Sequence, residues 1–89
     1  MKVKKRVILN GVILMQTKYE QEYIKFGLKV QYYRKLRGMT QEAFAEKVGI
    51  SWSHLAKVEG PTRAFGVSME TLFSMAEVLE IPVSKLFEE

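Results

Sequence analysis

The sequence predicts an all-α domain of five helices preceded by an N-terminal β-hairpin. Three observations carry that reading. Thr40, Ser51 and Ser68 each stand just before an apolar-periodic segment, where a side-chain oxygen accepts from free helical N–H groups. Gly38, Gly49 and Gly60-Pro61 stand where such segments end. Near the start, RVILNGVILM (residues 6–15) joins two β-branched runs through Asn10-Gly11, the dipeptide favoured by a type I′ hairpin turn.

The hairpin pairs Leu9 with Val12, Ile8 with Ile13 and Val7 with Leu14. Alternation puts Val7, Leu9, Val12 and Leu14 on one face, and Arg6, Ile8, Ile13 and Met15 on the other. A two-stranded hairpin is marginal alone in water, so this one is expected to pack on its own domain or on a second copy. Lys2, Lys4, Lys5, Arg6 and Lys18 face no acid within residues 1–18, a local charge of +5. The chain therefore divides into a basic extension, 1–18, and a helical domain, 19–89. The opening MKVKKRVILNGVILMQ mimics a signal peptide, but Asn10-Gly11 interrupts its apolar run and no small-x-small site follows. Met15 also offers an internal start, which would make residues 1–14 an upstream addition.

Helix one is expected from Lys18 to Arg37, with Phe26, Val30 and Tyr33 facing inward and Leu36 flanking them. Helix two runs from Gln41 to Val48 and buries Phe44, Ala45 and Val48. Gly49 ends it and Ile50 plugs the turn. Helix three, Trp52 to Glu59, buries Leu55 and Val58 and leaves its opposite side to solvent. Residues 60–67, GPTRAFGV, read as a loop. Helix four, Met69 to Glu80, turns Leu72, Met75, Ala76 and Leu79 inward. A last helical turn is expected at Ser84 to Phe87. The centre of the chain is thus TQEAFAEKVGISWSHLAKVE (residues 40–59), two short helices across a tight turn, the second presented by the first.

Eighty-nine residues, 47% apolar and 27% charged, make one globular domain with a modest core. Cysteine is absent, so no disulfide framework or Cys-ligated zinc is available. One His without partners gives no metal centre, and no cofactor or small-molecule ligand is implied. No nucleophile–base pair, paired carboxylates or phosphate loop marks an enzyme. No run reaches the roughly 18 apolar residues of a membrane span. The net charge of +4 is unevenly spread. Residues 19–89 carry nine bases against ten acids. Within them, 25–63 carry eight bases against three acids, and 64–89 one base against five. The middle of the chain suits an anionic partner and its C-terminal part does not.

VQYYRKLRGMTQEAFAEKVGISWSHLAKVE, followed by SMETLFSMAEVLEIPVSKLF, resembles the Cro/C1-type helix-turn-helix family, also called XRE. The resemblance spans about residues 24–87. It rests on Arg34 to Gly38, Thr40-Gln41, Ala45, Gly49-Ile50-Ser51, Leu55, Val58-Glu59, and Ser68 with Glu70-Thr71-Leu72. It implies a five-helix lambda-repressor-like DNA-binding domain, with the helix at 51–59 in the major groove of double-stranded DNA. The family's roles would fall on Gln41, Ser51, Trp52, Ser53, Ala56, Lys57, Thr62 and Arg63 as DNA contacts. Gln41 would touch phosphate and brace the first reading residue. Arg34 and Glu59 would form a structural ion pair.

Two departures modify what the family implies. Trp52 stands where a long polar or basic side chain is common. Indole offers one N–H donor and a large apolar face, suited to a thymine methyl or a sugar and not to a bidentate guanine contact. The stretch from Gly60 to helix four is also two residues longer than usual. The resemblance implies a sequence-specific transcriptional regulator, a repressor, acting as a homodimer in the nucleoid-containing cytoplasm of a bacterium or from a prophage. The alternative is a protein-interaction or antitoxin-type module on the same fold, favoured by Trp52 and by the −1 charge of residues 19–89.

Overall fold

Side-chain caps set where three of the four α-helices begin. In the computed structural model, which describes the backbone of residues 5–9 and 12–89 and the side chains of residues 17–89, α1 spans Glu20–Leu36, α2 Gln41–Val48, α3 Trp52–Val58 and α4 Met69–Leu79. Thr40 Oγ1 accepts from the Ala43 N–H at 3.1 Å, Ser51 Oγ from His54 at 3.0 Å, and Ser68 Oγ from Thr71 at 3.1 Å. Each hydroxyl satisfies an N–H that has no partner in the first helical turn. Gly49, with φ of 92°, supplies the left-handed residue that closes α2 and turns the chain into α3.

The fifth expected helix is a 3-10 helix, Val83–Phe87, so the domain has four α-helices and a terminal 3-10 turn. Pro82 precedes it, and five residues give too few i→i+4 bonds to support an α-helix of its own. It is nonetheless part of the core. Leu86 is fully buried, and Phe87 stacks on Phe26 of α1 with ring centroids 5.4 Å apart.

The core draws on every helix: Phe26 and Val30 of α1, Phe44 and Val48 of α2, Leu55 and Val58 of α3, and Leu72, Met75 and Leu79 of α4. The inward set expected for α1 is buried at Phe26 and Val30 and partly buried at Tyr33, and Arg34 joins it. Leu36 is 65% exposed, whereas Arg34 is buried. Buried positions run Phe26, Val30, Arg34, one turn apart, and Leu36 lies about 200° around the helix from Arg34. The 60–67 loop also contributes more than expected, because Ala64 and Phe65 are both buried. Helix α4 stops at Leu79, one residue early, with Glu80 in the left-handed region at φ 58°.

At the N-terminal end, β1 (Lys5–Leu9) and β2 (Val12–Gln16) pair antiparallel. Leu9 lies opposite Val12, Ile8 opposite Ile13 and Val7 opposite Leu14. The Asn10-Gly11 turn and the expected hairpin faces lie outside the described residues. Among the described residues, no helix is long and apolar enough to cross a membrane, and no group of three His, Cys, Asp or Glu is placed to hold a metal ion.

Candidate nucleic-acid interface

Helix α3 is pinned from beneath and from both ends. Leu55 and Val58 anchor it in the core. Its close approach to α1 depends on Gly27, where any Cβ would collide with the Val58 carbonyl oxygen. A glycine inside a helix costs about 1 kcal/mol in propensity, so a packing reason of this kind is the usual explanation. On the other flank, His54 donates its Nε2 proton to the Gly66 carbonyl at 3.0 Å and ties α3 to the following loop.

The end of α3 is held by a buried ion pair. Arg34 is 5% exposed and Glu59, the α3 C-cap, is 2% exposed. Arg34 Nε donates to Glu59 Oε2 at 2.7 Å and Nη2 donates to Oε1 at 2.9 Å. The third guanidinium nitrogen, Nη1, donates to the Met39 carbonyl at 2.6 Å. Two charges in the interior are tolerable only when geometry and hydrogen bonding are this complete. No buried side-chain nitrogen or oxygen among the described residues lacks a partner.

Gln41 carries this network to the surface. Its Nε2 donates to Glu59 Oε1 at 3.0 Å, which fixes the amide's orientation, because a carboxylate only accepts. Its Oε1 is therefore free to accept, and the Trp52 indole N–H donates to it at 3.2 Å. Arg34, Glu59, Gln41 and Trp52 thus form one continuous chain from α1 to the outer face of α3. The Gln41 amide keeps a second N–H beyond the one given to Glu59.

The expected contact residues are brought together in part. Trp52, 56% exposed, stands with Ser51, Ser53 and Ala56 on the solvent side of α3, and Lys57 is half-buried beside them. Ala56 follows Trp52 by one helical turn and shares its face. Thr62 and Arg63 are exposed on the loop after α3. Ser51 Oγ is already engaged in capping. Of the eight bases between residues 25 and 63, Arg34 and Arg37 serve the fold itself. Arg37 Nε donates to the Leu79 carbonyl at 2.8 Å and Nη2 to the Glu80 carbonyl at 3.4 Å, capping α4.

Gly27, Arg37 and the His54–Gly66 bond were not singled out from sequence. Only Gly27 carried a local signal, as a glycine within a helical pattern. The other two depend on distant backbone carbonyls that a linear reading does not locate.

The Helix-turn-helix family model matches residues 30–59, from the middle of α1 through the α3 C-cap. The chain is 38% identical over 61 residues to YazB, an uncharacterized HTH-type transcriptional regulator of Bacillus subtilis, covering 68% of this chain and 86% of that one. It is 33% identical over 66 residues to an uncharacterized HTH-type transcriptional regulator of Sinorhizobium medicae, covering 74% of this chain. The chain spans 46% of that relative, about half its length. Among solved structures, SinR, the master regulator for biofilm formation, in complex with DNA, superposes with a TM-score of 0.64 at 28% identity. The match covers 71% of this chain and 98% of that one; SinR comes from Bacillus subtilis.

Proposed function

The chain belongs to the Cro/C1-type (XRE) family of helix-turn-helix transcriptional regulators, and from that premise we propose that it represses transcription by binding specific sequences of double-stranded DNA. Helix α3 enters the major groove with Trp52, Ser53 and Ala56 towards base edges. The remaining N–H of Gln41, with Ser51, Lys57, Thr62 and Arg63, contacts the phosphate backbone. These contacts supply salt-dependent affinity while the groove contacts select sequence.

The observation that carries this reading is the unbroken network from Arg34 through Glu59 and Gln41 to Trp52. It fixes the outer face of α3 relative to α1 and α2, as groove reading requires. The DNA complex of the similar SinR supports it. One domain makes few base contacts, so the chain acts as a homodimer on a two-fold operator with half-sites about one helical turn apart. Residues 19–89 form the DNA-binding domain and residues 1–18 a basic extension to it, within the bacterial cytoplasm at the nucleoid. Selection of bound duplexes from a random pool tests this reading. A palindromic consensus is expected; a pool that never departs from random would overturn it.

A second reading has its own observation. Trp52 is exposed, and Tyr23, Met69 and Phe87 border an open apolar groove elsewhere on the domain. Both features suit protein contact of the antitoxin kind. A partner that competes with duplex for Trp52 would favour that reading.

A further inference from the structure

We infer that Trp52 selects thymine, reading the C5-methyl group by apolar contact and not by hydrogen bonding; this rests on the DNA-binding reading above. The indole has a single donor, Nε1–H, and no acceptor. That donor is given to Gln41 Oε1 at 3.2 Å. Gln41 cannot turn away without cost, because its Nε2 is held by the Glu59 carboxylate at 3.0 Å. Glu59 is in turn held by two bonds from Arg34. Trp52 therefore offers DNA only its exposed carbon surface.

The surroundings of Trp52 point the same way. Ala56, one turn along the same exposed face, adds a methyl group and no polar atom. Ser51 Oγ accepts in capping and leaves its O–H for the phosphate backbone, and His54 Nε2 is committed to the Gly66 carbonyl. Ser53 alone among these outward residues brings a side-chain hydroxyl to the groove. The face that Trp52 and Ala56 present is thus an apolar strip beside a single hydroxyl. In the major groove, the thymine methyl is the only apolar group on a base edge. A sugar contact would also be apolar but would carry no preference among bases.

The test replaces each thymine of a selected duplex, one at a time, by uracil, which keeps every hydrogen-bonding group and removes only the methyl. Binding of the full chain is then measured by fluorescence anisotropy. At least one thymine per half-site should lose about fourfold in affinity on replacement, the worth of burying one methyl-sized group. Trp52→Ala should bind uracil and thymine duplexes equally, and Trp52→Phe, which keeps an apolar ring without the N–H, should retain a preference for thymine. A parent protein indifferent to every replacement, or a Trp52→Ala variant as sensitive as the parent, would overturn the inference while leaving DNA binding intact. A Trp52→Phe variant that loses the thymine preference would overturn it as well, by assigning the contact to the N–H. If no duplex is bound at all, the DNA-binding reading fails and the inference falls with it.

Discussion

Arg34 and Glu59 are separated by 25 residues and meet in a two-pronged ion pair, 2.7 Å from Nε to Oε2 and 2.9 Å from Nη2 to Oε1. Glu59 closes α3, so the pair fixes the end of that helix to α1. The same carboxylate accepts from Gln41, which accepts from Trp52. A buried electrostatic contact and an exposed aromatic are thus parts of one network.

Removing Arg34 should expose what the pair contributes. In Arg34→Ala, Glu59 stays buried with Gln41 as its remaining side-chain donor, and the Met39 carbonyl loses its partner. The expected loss is about 3–5 kcal/mol. Urea denaturation followed by circular dichroism reads it, and a midpoint equal to the parent's would contradict the pairing.

Gly27→Ala should destabilise the domain despite alanine's better helix propensity. That propensity favours the variant by about 1 kcal/mol. The added Cβ collides with the Val58 carbonyl, and relieving such overpacking typically costs ~1–3 kcal/mol. The net effect is a less stable domain with α3 displaced from α1. A variant more stable than the parent would mean that α1 and α3 do not approach as closely as described.

Gln41→Ala should release the indole. The chain has one tryptophan, so its Nε1–H gives one side-chain signal in a ¹H–¹⁵N spectrum. That signal should move, and its proton should exchange faster with water, while stability falls by ~1 kcal/mol for the bond lost to Glu59. An unmoved indole signal would show that Trp52 does not lean on Gln41.

Glu80→Gly should stabilise the domain. Glu80 holds φ of 58°, a conformation that costs an L-residue roughly 1–2 kcal/mol. Glycine removes that strain, although its freer unfolded chain offsets part of the gain. Arg37 still finds both backbone carbonyls, since neither belongs to the replaced side chain. A net gain of ~1 kcal/mol corresponds to a rise of about 4–8 °C in Tm. A lower Tm would indicate that the Glu80 side chain contributes more than its backbone strain.

The elements legible in the sequence were those with local causes. Helix α2 is bounded on both sides by its own chemistry, Thr40 as cap and Gly49 as stop, and its span was read residue for residue. The inward face of α4 followed from periodicity alone. Periodicity alone does not place Arg34 on the inward face of α1, because a charged side chain is buried there only through its partner Glu59, 25 residues away. Phe65 lies in a loop, as residues 60–67 predict, but its burial leaves no linear signal because a loop has no periodicity. At the candidate site, the exposure of Trp52, Ser53 and Ala56 followed from the positions of Leu55 and Val58 on the opposite side. The Gln41 brace on Trp52 came from the family resemblance and not from local pattern, since Gln41 lies 11 residues away on another helix, and the 3.2 Å bond from the indole N–H supplies it.

DNA binding itself is tested by the affinity of the purified chain for its selected duplex as a function of salt concentration. A DNA-binding regulator of the kind proposed should bind tightly at low salt. Its log Kd should rise steeply with log salt, by about 0.9 for each phosphate neutralised, and the selected duplex should outcompete an unrelated one throughout. Absence of duplex binding even at the lowest salt would mean that this chain is not a DNA-binding regulator.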